Sequence, residues 1–271
     1  MLKNISIGQY FPGDSPIHKL DPRTKILLTV ALLVCIFVCK GFAGFGAILL
    51  FILLCVWIAG LKIKFVLRGL KPIAIIVIFT FILNIFLQNS GEVLWKWWII
   101  KITREGLRTA LFMAVRLIML VMGTQLLTLT TSPIALTDGL ESLFKPLSKL
   151  GFPAHELAMM MSIALRFIPT LIEETNKISQ AQKARGADFE SGNLIRRAKA
   201  MLPLLVPLFV SAFRRADELA MAMEARCYRG GKGRTKMKPL RFAWRDLYAA
   251  FAYIALLAAV IALNKLGVLV L

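Results

Sequence analysis

Long apolar runs separated by short basic or turn-rich breaks dominate both ends of this chain. Ile26 to Val38 is apolar, Lys40-Gly41 interrupts, and Phe42 to Ala59 is apolar again. Read as one helix this stretch is far too long. It predicts a tight hairpin turning at Lys40, with spans over 26–39 and 42–60 and a first arm that is short for hydrocarbon. Two further runs predict spans over 71–89, carrying Asn84 near its far end, and 107–129, carrying Arg116. A last run, Leu247 to Val270, predicts a fifth span within 247–271.

From Thr130 the period changes. Ser132 before Pro133 reads as an N-cap followed by the residue best suited to the first helical position. A short helix follows, with Ile134, Leu136, Leu140, Leu143 and Leu147 on one face and a stop near Pro146 and Gly151. From Ala154 the residues Leu157, Met161, Ala164, Leu165, Ile168 and Ile172 keep helical spacing through Pro169, and the stretch then turns polar. Helical to Arg185, it spans roughly 45–50 Å. A second long helix begins near Asn193, carries Arg196, Arg197, Lys199 and the prolines Pro203 and Pro207, and runs to Arg226. Its apolar run of about a dozen residues falls short of the ~20 a span requires. The predicted fold is an all-α polytopic membrane protein of about five transmembrane helices. A domain of one short and two long crossing helices sits at the cytoplasmic face. Its parts are 1–129, 130–246 and 247–271.

Composition agrees with a membrane solvent: the chain is 58% hydrophobic with a mean hydropathy of +0.71. The net charge of +19 then becomes a topology signal. Lys62, Lys64, Arg68 and Lys71 stand together without an acid, which marks that loop as cytoplasmic. Trp95, Trp97 and Trp98 form an aromatic belt in the next loop, whose Glu92, Lys96, Lys101, Arg104, Glu105 and Arg108 are mixed in sign. Five spans place the N-terminus in the cytoplasm and the C-terminus outside. GGKGRT at 230–235 opens a flexible basic linker, and Phe242, Trp244 and Tyr248 form the inner belt of the last span. The basic residues sit beside spans rather than on a separate soluble domain, which argues against nucleic acid as a partner.

Two constellations carry candidate chemistry. Ala184-Arg185-Gly186 and Ala225-Arg226-Cys227 end the two long helices alike, a small residue on either side of an arginine. A helix C-terminus tolerates a cation, a guanidinium binds a carboxylate bidentately, and small neighbours allow close approach. An ordinary basic C-cap explains one such end, but two matched ends suggest an acidic partner. Glu173-Glu174 precede Arg185 by the same distance as Arg214-Arg215 precede Arg226. These pairs are candidates for an inter-helix ion pair, with independently solvated faces as the alternative. Arg116, costly inside a membrane, reads as a snorkelling or bundle-facing residue, or else as an intramembrane contact to a partner.

The segments YFPGDSPIHKLDPRTK, TLTTSP at 128–133, ALRFIPTLIEE at 164–174, QKARGADF at 182–189 and MEARCYRGG at 223–231 together resemble the transmembrane component, or T subunit, of energy-coupling-factor transporters. These are ABC-type importers of vitamins and transition metals. The resemblance covers nearly the whole chain and makes 130–246 a coupling domain. It implies a coupling subunit of the prokaryotic plasma membrane, with two cytosolic ABC ATPase subunits docked at Ala184, Arg185, Gly186, Ala225, Arg226 and Cys227. It also implies a small substrate-binding membrane subunit as a further partner, and no cofactor in this subunit, since ATP and magnesium belong to the ATPases. Cys227 departs from the glycine common at its place, which implies a less flexible cap.

No enzyme is expected. His18 and His155 form no metal set, and no GxxxxGK[ST] nucleotide loop is present. The four cysteines form no disulfide framework: Cys35, Cys39 and Cys55 lie in apolar spans, and Cys227 lies on the basic cytoplasmic side. Cys35 and Cys39 read as small buried apolar residues rather than a bridge or metal pair. The competing reading is a stand-alone channel or secondary carrier. The spans lack the intramembrane acids and the broken-helix repeats that such a carrier would use.

Overall fold

A computed structural model describes residues 10–87, 93–97, 100–187, 189, 193–231, 235, 237 and 239–266. Outside the described residues lie Gln88, Glu92, Trp98, residues 232–234 of the GGKGRT linker and the end of the last expected span, as do the side chains of Trp95, Trp97, Arg196 and Arg197. Helices make up most of the described chain. They are α1 (Pro22–Val38), α2 (Phe42–Ile58), α3 (Ile63–Leu70), α4 (Ala74–Leu87), α5 (Arg104–Thr130), α6 (Pro133–Phe144), α7 (Ala154–Ala184), α8 (Leu194–Ala225) and α9 (Trp244–Lys265). A 3-10 turn, Lys145–Leu150, ends at Gly151 in the left-handed region. Before α5 a short antiparallel hairpin pairs β1 (Val93–Trp97) with β2 (Ile100–Thr103), with Trp97 opposite Ile100.

The described part of residues 9–139 and 239–271 forms one compact unit, and that of 140–238 another. In the first, α1, α2, α5 and α9 pack around Leu32, Ile36, Ile48, Ile52, Met119 and Val260, all at most 5% exposed. Three described helices, α5, α7 and α9, are each long and apolar enough to cross a bilayer. α3 and α4 pass the same test together, with a 58° bend between them. α2 is a shorter apolar helix. The fold is that of a helical, multi-pass membrane protein. The segment from Lys62 to Lys71, expected as a loop, is corrected to helix over Ile63–Leu70. Val66 and Gly69 are its buried positions, and a Cβ on Gly69 would run into the Gln125 side chain. Helix α3 therefore lies close against α5.

Polar groups at one end tie the first unit together. Asp21 caps α1 by accepting from the Arg23 N–H at 2.9 Å. Asp246, 6% exposed, accepts from the Asp21 N–H with one oxygen and from the Ala243 N–H with the other, each at 2.8 Å. Lys25 donates to the carbonyls of His18 at 3.0 Å and Thr130 at 2.9 Å. The Phe11 N–H donates to the Leu129 carbonyl at 2.9 Å. Turn-forming residues in FPGDSPIHKLDP thus knot the starts of α1 and α9 to the end of α5.

Candidate functional site

The matched ends of α7 and α8 are built by the same backbone device. Arg185 is the C-cap of α7 and Gly186 follows it at φ 88°. The Gly186 N–H donates to the Lys183 carbonyl at 3.0 Å and the Ala187 N–H to the Gln182 carbonyl at 2.9 Å. Arg226 is the C-cap of α8, and Cys227 follows it at φ 54°. The Cys227 N–H donates to the Glu224 carbonyl at 2.8 Å and the Tyr228 N–H to the Met223 carbonyl at 3.0 Å. Both are Schellman motifs, in which a left-handed residue turns the chain back onto the last carbonyls. Among the described residues Cys227 alone reaches positive φ without being glycine.

All six tip residues, Ala184, Arg185, Gly186, Ala225, Arg226 and Cys227, are exposed. No described carboxylate pairs with Arg185 or Arg226. Each tip therefore offers a hydrated guanidinium fork beside a closed helix end, flanked by residues too small to hold a partner away. Such a surface can accept an acidic helix or loop. Among the described residues no group of three or more His, Cys, Asp or Glu side chains could hold a metal.

Behind the tips the two helices are joined. Arg215 Nη2 lies 2.9 Å from Glu174 Oε2, and the Ser211 hydroxyl donates to the other carboxylate oxygen. Ser211 was not among the four residues the sequence put forward for a pairing. Its position one turn before Arg215 puts it on the same helix face, which is the signal that would have found it. Arg214 instead pairs with Glu218 along its own helix at 3.4 Å, with both side chains well exposed. Glu173 is exposed one position before the joined Glu174. Helix α7 runs through Pro169, and α8 through Pro203 and Pro207, without ending.

Arg116 lies inside the first unit. Its Nη2 donates to the Cys39 carbonyl at 3.1 Å, closing the C-terminus of α1. The guanidinium lies 4.8 Å from the Phe112 ring centroid and 5.9 Å from those of Phe37 and Phe45. A carbonyl and three aromatic faces thus receive the charge within the bundle.

A helical membrane protein with two exposed, arginine-capped helix ends, on two helices joined by an ion pair, is the class of molecule these features define. Residues 13–237 match the CbiQ family of cobalt transport proteins. The chain is 59% identical to the energy-coupling factor transporter transmembrane protein EcfT of Thermosediminibacter oceani, over 95% of this chain and 96% of that one. It is 58% identical to the protein of the same name from Clostridium kluyveri, over 94% and 95% of the two chains. The Bacillus subtilis protein of that name is 49% identical over 95% and 97%. The chain belongs to this family of energy-coupling-factor transporter transmembrane proteins.

Proposed function

We propose that this chain couples ATP hydrolysis to uptake as the scaffold subunit of an energy-coupling-factor importer. Two cytosolic ABC ATPase subunits dock on its tips, one at Ala184, Arg185 and Gly186, the other at Ala225, Arg226 and Cys227. The ATPases hold ATP and magnesium. Their movement is passed along α7 and α8 to a small substrate-binding membrane subunit, which carries a vitamin or a transition-metal ion. On this reading the residues from 130 to 246 face the cytoplasm or the inner interface, with the N-terminus inside and the C-terminus outside. That includes α7, although its length and apolarity would let it cross a bilayer.

The observation that carries this reading is the duplicated helix end, with its arginine at the C-cap and its left-handed closing residue. A second feature supports the membrane partner. Leu202, Leu205, Val206, Phe209, Val210 and Phe213 recur at helical spacing on α8, and all are exposed. A stripe of that kind is covered by lipid or by another membrane protein.

Purification of the tagged chain from its native membrane tests the reading. Two nucleotide-binding subunits and one small membrane protein are expected to travel with it. A chain that transports substrate alone, without ATP, contradicts it.

A further inference from the structure

A cavity of about 340 Å³ opens into the first unit among α1, α2, α5, α9 and the N-terminal segment. Its walls are apolar: Leu28 and Leu32 of α1, Phe51 and Leu54 of α2, and Gly123 and Leu126 of α5 contribute. Its charged lining residues are two cations, Lys25 and Arg245, and no acid lines it. Both cations stand near the helix starts, with Lys25 in the first turn of α1 and Arg245 in the first turn of α9. From the level of Lys25 to that of Leu32 the cavity runs roughly 10 Å along α1.

The nearby acids are already engaged. Asp21 accepts from the Arg23 N–H and lies 3.9 Å from its guanidinium, while Asp246 accepts from the N–H groups of Asp21 and Ala243. Lys25 spends two N–H bonds on the His18 and Thr130 carbonyls, which leaves a third. Arg245 is exposed and has no carboxylate partner among the described residues. Trp244 and Tyr248 beside it are 77% and 69% exposed, as aromatic residues at a headgroup level are.

We infer that this cavity is a binding site for one anionic phospholipid. An acyl chain enters between the helices, and the headgroup phosphate is held by Arg245 and Lys25. The apolar walls alone cannot select a lipid, because bilayer hydrocarbon is as apolar as they are. Selection comes from the cationic mouth, at on the order of fivefold per basic residue. A hydrocarbon tail fits the walls and a negative head fits the mouth. Of the molecules in a membrane, an anionic lipid carries both. The inference does not depend on the ATPase partners.

The test uses the full chain in nanodiscs of one part phosphatidylglycerol to three parts phosphatidylcholine. Native mass spectrometry then counts the lipids retained on release. One retained lipid is expected, with the ratio of phosphatidylglycerol to phosphatidylcholine about fivefold or more above that of the bulk mixture. Arg245→Gln, which leaves Lys25 in place, is expected to lower that ratio about fivefold. Ala252→Phe, made at an exposed cavity-lining position, is expected to abolish retention while the protein stays monodisperse and helical. If Ala252→Phe cannot be purified folded, Arg245→Gln alone decides. Retention of lipids in bulk proportion by the native chain overturns the inference. So does unchanged enrichment in Arg245→Gln, or undiminished retention in a folded Ala252→Phe.

Discussion

Glu174 and Arg215 meet at 2.9 Å, and each stands eleven residues before the arginine that caps its helix. The ion pair is therefore roughly 16 Å along each axis from its tip. On the proposed function, a contact equally far from two docking ends would pass on a displacement of either one with the same lever arm. Arg185 and Arg226 are matched in their distance from the ion pair as well as in chemistry.

That relationship fixes the outcome of a charge swap. Glu174→Arg or Arg215→Glu alone leaves like charges facing across the crossing. Each is expected to lower stability by about 1–2 kcal/mol, the half-exposed setting keeping the loss modest. The double swap is expected to recover most of it, as read by thermal unfolding in detergent. A double variant as unstable as the two losses added would show that the pair does not join the helices.

The closing residues of the tips predict opposite effects for glycine gained and glycine lost. Cys227 holds φ 54°, a conformation costing a side-chain-bearing residue about 1–2 kcal/mol. Cys227→Gly is expected to slow hydrogen exchange at the Cys227 and Tyr228 amides, and Gly186→Ala to speed it at Gly186 and Ala187. Equal exchange in both variants and the native chain would mean that these residues do not set the caps.

Asp246 satisfies two backbone donors separated by most of the chain length. Asp246→Ala leaves the Asp21 and Ala243 N–H groups without an acceptor, at a cost of about 2–4 kcal/mol. Asp246→Asn retains one acceptor oxygen and is expected to fall between. A thermal midpoint unchanged in Asp246→Ala would show that water replaces the carboxylate freely.

His18 gives the N-terminal knot a pH dependence. Burial, the largest cause, lowers its pKa from 6.5; the Phe11 carbonyl and Asp14 oppose this and Lys25 adds to it. The folded state therefore binds the proton less readily than the unfolded chain. Stability is full above about pH 6.5 and is lost as pH falls towards the depressed folded value. His18→Gln is expected to flatten the thermal midpoint between pH 7.5 and 5. Parallel declines in both proteins would assign the dependence to other groups.

Much of this architecture was legible in the chain because its signals are local. Ser132-Pro133 announces the start of α6, and the Ser132 hydroxyl accepts from the Ala135 N–H at 3.3 Å. Segment 62–71 misled because four cations in ten residues read as a solvated loop. Ile63, Val66, Leu67 and Leu70 meanwhile held helical spacing. The hairpin before α5 is too short for its alternation to stand out from an aromatic belt. Asp246 and its partner Asp21 were out of reach, since no local pattern connects residues 225 positions apart. The cavity of the first unit was equally hidden, because it is lined from four helices and a loop. The offset shared by the acidic and basic pairs was visible. Which member of each pair turns inward depends on rotation about the helix axis, which sequence spacing leaves open by one position.

The central claim is that Arg185 and Arg226 hold the ATPase subunits. Its most direct test is the double variant Arg185→Glu with Arg226→Glu, tagged and purified from membranes beside the native chain. The account predicts that the double variant is inserted and folded in normal amount but recovers no ATPase subunits and supports no uptake. Normal recovery of both ATPases with normal uptake would contradict it.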